Sequence, residues 1–73
     1  MSKPPLVSGN EAVHAFKRAG YHIVSQRGSH VELYNPTTDI TLITPNHREI
    51  DRWTLKGILK AADISIEKFN SLL

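Results

Sequence analysis

The chain has 73 residues, and a domain of this length buries only about 60% of the surface of its unfolded chain, so its core is thin. It contains no cysteine, which excludes disulfides, thiolate metal sites and a cysteine nucleophile and fits a reducing cytoplasm. The net charge of +2 permits an anionic partner without requiring one.

Neither a membrane span nor a signal peptide is apparent. No apolar run approaches the ~20 residues that cross a bilayer, and the stretch Met1–Pro5 lacks an apolar core. We therefore expect one cytoplasmic domain over residues 1–73, with no membrane partner and with residues 1–6 flexible.

A first helix is predicted over residues 9–19. Ser8 and Glu11 have the spacing of a capping box, in which each side chain bonds the other residue's backbone amide. Four apolar residues then recur at helical spacing: Ala12, Val13, Phe16 and Ala19. Gly20 is placed to end the helix, because glycine tolerates the left-handed conformation that closes many helices.

Three segments rich in β-branched and aromatic residues predict strands, at residues 21–26, 30–34 and 40–44. Turn-forming residues separate them, at residues 27–29 and 35–39. Pro45 is expected to end the third strand, because proline cannot donate to a strand ladder. The pattern predicts a three-stranded antiparallel meander.

The second strand alternates between two faces. Val31 and Leu33 point one way, whereas His30, Glu32 and Tyr34 point the other. We expect the first face to join the core and the second to be open.

A second helix is predicted to start after Asp51, a good N-cap residue, with Ile50 packing on Leu55. Its apolar face consists of Leu55, Ile58, Leu59 and Ala62. Another face carries what we call the basic ridge: Arg52, Lys56 and Lys60. Ser65 is predicted to cap a short third helix with the apolar residues Ile66, Phe69, Leu72 and Leu73.

The predicted order is therefore α-β-β-β-α with a short C-terminal helix. Helices packed on one face of an antiparallel sheet form a two-layer α+β sandwich. Phe16, Leu55, Ile58 and Phe69 are expected in its core.

Several short segments occur in a distinctive order: Ala19-Gly20-Tyr21, Gln26-Arg27-Gly28-Ser29-His30, Thr44-Pro45-Asn46-His47, Thr54-Leu55-Lys-Gly-Ile-Leu59-Lys-Ala-Ala-Asp-Ile64-Ser and Glu67-Lys68-Phe69. From about residue 6 to the end, the chain resembles the HicA family of toxins, small ribonucleases of bacterial and archaeal toxin–antitoxin pairs. The Gly-Ser-His triplet alone is a weak signal, but this order and spacing make the resemblance specific.

The resemblance implies a fold like a double-stranded RNA-binding domain and an mRNA-cleaving toxin that inhibits translation. It implies that the histidine of the Gly-Ser-His motif, here His30, is catalytic. It also implies a HicB-type antitoxin that inhibits the toxin in a hetero-oligomer. Trp53 and Asp63 depart from the family, which often has glycine at both positions, so the shape of the second helix's ends is in question. Trp53 is alternatively a specific contact to antitoxin or RNA.

A single histidine suits this chemistry, because RNA supplies its own nucleophile, the 2′-hydroxyl. An imidazole accepts and returns protons near neutral pH. A positive group must also stabilise the charge that develops on the phosphoryl oxygens. Arg27, Lys56 and the backbone amides of Gly28 or Ser29 are candidates.

Further RNA contacts are predicted at His47, which precedes the second helix, and along Arg52, Lys56 and Lys60, where an A-form backbone would lie. Glu32 and Tyr34 share the face of His30, and either orient the imidazole, stack a base or are ordinary strand residues. The four histidines lack metal-ligand spacing, so neither a metal nor another cofactor is expected.

Two alternatives to a nuclease remain open. A non-catalytic RNA-binding module of the same fold would keep its RNA affinity after His30→Ala, and that affinity would fall with salt. An interaction domain whose basic face binds an acidic protein would have no RNA affinity.

Overall fold

The computed structural model describes residues 3–73, and its elements follow the predicted order. They are α1 (Gly9–Arg18), β1 (His22–Arg27), β2 (His30–Asn35), β3 (Ile40–Pro45), α2 (Arg52–Ala62) and α3 (Ile66–Leu72). The strands form an antiparallel sheet in the order β1-β2-β3. The helices pack against this sheet, which confirms the α+β fold class like that of double-stranded RNA-binding domains. No helix within residues 3–73 is long and apolar enough to cross a membrane.

The expected flexibility of residues 1–6 remains a prediction, and residues 1–2 lie outside the described part of the chain. Within residues 3–6, Pro4 is buried, and its carbonyl oxygen accepts a hydrogen bond from Arg52 Nε at 3.1 Å. Pro4 therefore contacts the start of α2.

The capping box at α1 is confirmed. The Ser8 amide donates to Glu11 Oε1 at 2.9 Å, and the Glu11 amide donates to Ser8 Oγ at 3.1 Å. These bonds satisfy two amides that no helical carbonyl reaches. The helix ends at Ala19 and Gly20, with Gly20 at φ 105°, as its sequence predicts.

A β-bulge in β1 sets the register of the sheet. Ile23 lies opposite Leu33, but Ser25 rather than Val24 lies opposite Glu32. Val24 is therefore an extra residue, and such an insertion shifts every later pair by one position. As a result Arg27 lies opposite His30, a position that Gln26 would occupy without the bulge.

The ends of β2 and β3 differ slightly from the prediction. Pro45 belongs to β3 and pairs with His30, which is tolerated because β3 is an edge strand with no further neighbour. Asn35 is buried at the end of β2 rather than exposed in the turn. Its Oδ1 accepts from the Thr37 amide at 2.9 Å, so the side chain shapes the β2–β3 turn from inside.

The core lies between the sheet and the helices. It contains Phe16, Leu33, Leu55 and Phe69, with Val31 and Leu42 completing the sheet side. Tyr21, predicted in the first strand, precedes β1, is buried and packs edge-on against Phe16. Ile58, expected in the core, is half-buried at its margin.

Both ends of α2 are well formed despite the two unusual residues. The Asp51 carboxylate accepts hydrogen bonds from the amides of Trp53 and Thr54, at 3.0 and 3.1 Å. At the other end Asp63 adopts the left-handed conformation, with φ 56° and ψ 41°. The Ile64 amide then donates to the Leu59 carbonyl at 3.0 Å, so aspartate closes the helix as a glycine would.

Candidate active site

His30 is the first residue of β2 and is exposed beside a two-residue turn. In that turn Gly28 has φ 57°, whereas Ser29 does not have a positive φ. Glycine at the first central position is typical of type II′ hairpins, whose twist matches that of the flanking strands. A Cβ atom on Gly28 would meet nothing within 4 Å, so the backbone conformation rather than space requires glycine.

Residues of both neighbouring strands flank His30. Arg27 of β1 and Pro45 of β3 are its register partners, so all three point to the open face of the sheet. Side chains directly opposite each other in antiparallel strands have Cβ atoms about 4.5–5.5 Å apart. The sheet therefore places a permanent cation and an exposed imidazole side by side.

The loop after β3 supports the turn. The Asn46 amide donates to the Ser29 carbonyl, and the Gly9 amide donates to the His47 carbonyl at 2.8 Å. A Cβ atom at Gly9 would lie 2.5 Å from the Cα of Asn46, so only glycine allows α1 to begin this close to the loop. These contacts join the start of α1, the loop and the Gly28-Ser29 turn, and no local pattern of residues predicts them.

Of the predicted RNA contacts, Arg27 and Ser29 flank His30, and His47 lies in the loop that contacts the turn. His47 is exposed in the loop after β3. The residue before it, Asn46, donates a backbone hydrogen bond to Ser29. The turn and this loop therefore present two histidines and an arginine at one end of the sheet.

The basic ridge is exposed along α2, but its three residues have different surroundings. Arg52 donates through Nε to Pro4, and Lys56 Nζ lies 5.2 Å from the centre of the Trp53 ring. Lys60 lies about 12 Å farther along the helix axis than Arg52, at a rise of about 1.5 Å per residue. Arg52 and Lys56 are thus nearer than Lys60 to the loop that leads from the turn.

Two polar side chains on the open face are held by neighbours other than His30. Glu32 Oε1 accepts from Ser25 Oγ at 3.0 Å, and Tyr34 donates to Asp39 Oδ1 at 2.7 Å. The hydrogen bond to Asp39 raises the pKa of Tyr34 above its ordinary value, and burial and the aspartate charge add to the rise. These contacts favour ordinary strand roles for Glu32 and Tyr34.

Within residues 3–73 no three histidine, aspartate or glutamate side chains cluster closely enough to hold a metal ion. His14 and His22 are exposed. His22 lies on the open face opposite Tyr34, at the end of the sheet remote from His30.

This end of the sheet combines a proton-transfer group, a fixed positive charge and exposed turn amides. Such a set can move a proton and stabilise a developing oxyanion. The family comparison agrees with the resemblance drawn from the motifs. The model of the HicA toxin family of bacterial toxin–antitoxin systems matches residues 9–64, about three-quarters of the chain. A search of curated proteins found no match.

Proposed function

Because the chain belongs to the HicA family of toxins from bacterial toxin–antitoxin systems, we propose that it is an endoribonuclease that cleaves messenger RNA without a metal ion. His30 is its general acid and base. The observation that carries this proposal is the exposed imidazole of His30, presented beside Arg27 on the sheet face opposite the helices.

The reaction begins with RNA bound so that a 2′-hydroxyl lies within reach of His30. The imidazole takes the 2′-hydroxyl proton, and the 2′-oxygen attacks the adjacent phosphorus. The bond from phosphorus to the 5′-oxygen breaks, and that oxygen takes a proton from the imidazolium or from water. The products are a 2′,3′-cyclic phosphate and a 5′-hydroxyl end, and the reaction needs no cofactor.

The cationic residues supply charge rather than proton transfer. Arg27 stabilises the phosphoryl oxygens, because its guanidinium stays protonated throughout the reaction. The backbone at Ser29 and the side chains of His47, Arg52, Lys56 and Lys60 contact phosphates on either side of the cleaved bond. Such contacts position the strand without reading its sequence.

The antitoxin partner belongs to the HicB type and acts by covering the open face. His30 and Arg27 are both exposed there, so a protein bound over the sheet would exclude RNA from them. This proposal explains inhibition by occlusion and needs no change in the toxin's conformation.

The decisive experiment incubates the purified protein with a structured messenger RNA in the presence of a metal chelator. Two single variants accompany it, His30→Ala and His22→Ala. His22 is a matched control, because it is another exposed histidine on the same sheet face but at its remote end. Circular dichroism checks that all three proteins are folded.

We expect the wild type and His22→Ala to cleave equally, and His30→Ala to lose about 10²–10⁴-fold in rate, the usual contribution of general acid–base catalysis. An RNA with a 2′-deoxyribose at the cleavage site should resist cleavage there. Equal cleavage by His30→Ala would disprove the assigned role of His30. Binding without cleavage by the wild type would instead support the non-catalytic RNA-binding module.

A further inference from the structure

Trp53 is the only tryptophan of the chain and the most exposed of its large apolar side chains within residues 3–73. Its side chain is 76% exposed on the first turn of α2. The backbone amide of Trp53 serves the Asp51 cap, but any residue except proline supplies that amide. The indole itself therefore contributes little to the fold.

Lys56 gives the exposed ring a defined partner. It follows Trp53 by one helical turn, and its ammonium lies 5.2 Å from the ring centre, within the range of a cation–π contact. The pair presents a flat aromatic surface and a positive charge together. A nucleotide offers the complementary pair, a flat base joined to a phosphate.

The pair also lies at the end of the molecule that carries His30. Pro45 pairs with His30, the next residue contacts Ser29, and the loop that follows leads directly into α2. The loop is fixed at its far end, because Ile50 is fully buried and its amide donates to the Val7 carbonyl. His30 lies on the open face and α2 on the opposite face, so a strand that passes His30 reaches the start of α2 by crossing the end of edge strand β3.

The chemistry of an exposed indole selects unpaired RNA. In an A-form duplex the bases are stacked on each other, and proteins contact mainly the backbone and the 2′-hydroxyls. Bases of single strands and loops are free to stack on aromatic side chains. A duplex therefore offers no free base to stack on Trp53, whereas an unpaired base can stack on it.

We propose that Trp53 and Lys56 form a stacking site for an unpaired base near the cleaved bond, and that this toxin acts on single-stranded or looped RNA. The inference rests on the ribonuclease function proposed above. The surface around Trp53 is basic, because Arg52 and Lys56 flank it along α2, and a basic surface suits the phosphates of RNA. The nearest carboxylate in sequence, that of Asp51, is engaged in the helix cap.

The test uses the full chain carrying His30→Ala, so that bound RNA stays intact. An unstructured oligoribonucleotide and a duplex of the same length are titrated while tryptophan fluorescence is recorded, and Trp53 is the only reporter. Trp53→Ala and Trp53→Phe are added to this background and titrated by fluorescence anisotropy of labelled RNA. Ile23→Ala is the matched control, since Ile23 is an exposed apolar residue on β1, 44% exposed.

We expect the single strand to quench the fluorescence. Trp53→Ala should weaken single-strand binding by about 5- to 150-fold, the range for one stacked base, and Trp53→Phe should retain most of the affinity. Duplex binding and the Ile23→Ala variant should be unchanged. RNA binding without any fluorescence change, or an equal loss of duplex affinity, would overturn the inference.

Failure of the proposed function gives a different result. If the His30→Ala protein binds no RNA and the wild type leaves RNA intact, the ribonuclease proposal itself fails. If the wild type cleaves RNA but Trp53→Ala weakens only the binding of the antitoxin, the ribonuclease stands. Trp53 would then belong to a protein interface, and the stacking site would be rejected.

Discussion

In the proposed reaction, His30 is a group that changes charge and Arg27 is one that does not. Imidazole gains and loses a proton near neutral pH, whereas a guanidinium keeps its proton in proteins. Arg27 is therefore unsuited to proton transfer and suited to stabilising the charge on phosphate. The two residues meet only because of the bulge at Val24, which shifts the register by one residue.

This division predicts the effect of changing Arg27. Arg27→Ala should lower the single-turnover cleavage rate by about 10²–10³-fold, as the loss of one oxyanion-stabilising group usually does. Arg27→Lys should recover part of the loss, because lysine keeps the charge but lacks the planar fork. RNA affinity should fall less than the rate.

Lys17→Ala is the control for net charge, since Lys17 is exposed on α1, away from the open face. Comparable losses from Arg27→Ala and Lys17→Ala would mean that the effect is general electrostatics and not stabilisation at the site.

Among the secondary-structure elements, α1 supports the site without carrying any of its side chains. The helix begins at Gly9, against the backbone of Pro45 and Asn46, and Asn46 in turn holds Ser29. The turn beside His30 is therefore positioned from the helical layer as well as by its own hairpin. A larger residue at Gly9 would separate these parts.

Two glycine-to-alanine changes should have opposite effects on stability. At Gly9 a Cβ atom would lie 2.6 Å from the Pro45 carbonyl oxygen, so Gly9→Ala should destabilise the fold by about 1–3 kcal/mol. At Gly57, inside α2, a Cβ atom would meet nothing within 4 Å, so Gly57→Ala should stabilise by up to about 1 kcal/mol. Urea unfolding measures both free energies, and equal values would refute the close approach at Gly9.

The same elements show what a sequence can and cannot predict. The caps formed by Ser8 and Asp51 were predictable, because their partners lie within three residues along the chain. The pairing of Arg27 with His30 was not, because a bulge depends on how a strand meets its neighbour. Nor was the contact of Asn46 with Ser29, since residues distant in sequence meet there only after the sheet has formed.

Considered as a whole, the molecule covers one face of its sheet with helices and leaves the other open. The two faces each have an exposed isoleucine that allows them to be compared. Ile43 on β3 lies opposite Glu32 on the open face and is 50% exposed, whereas Ile23 on β1 lies opposite the buried Leu33 and is 44% exposed. A partner that covers the open face must contact Ile43 and can leave Ile23 free.

Antitoxin binding should therefore depend on Ile43. Ile43→Thr keeps a β-branched side chain but removes apolar area, and we expect it to weaken the complex by on the order of 10-fold. Ile23→Thr, the same change at similar exposure on the other face, should leave the affinity unchanged. Isothermal titration of each folded variant with the antitoxin measures both. A loss confined to Ile23→Thr would place the antitoxin at the β1 edge and reject occlusion of His30, because the open face would then remain accessible to RNA within the complex.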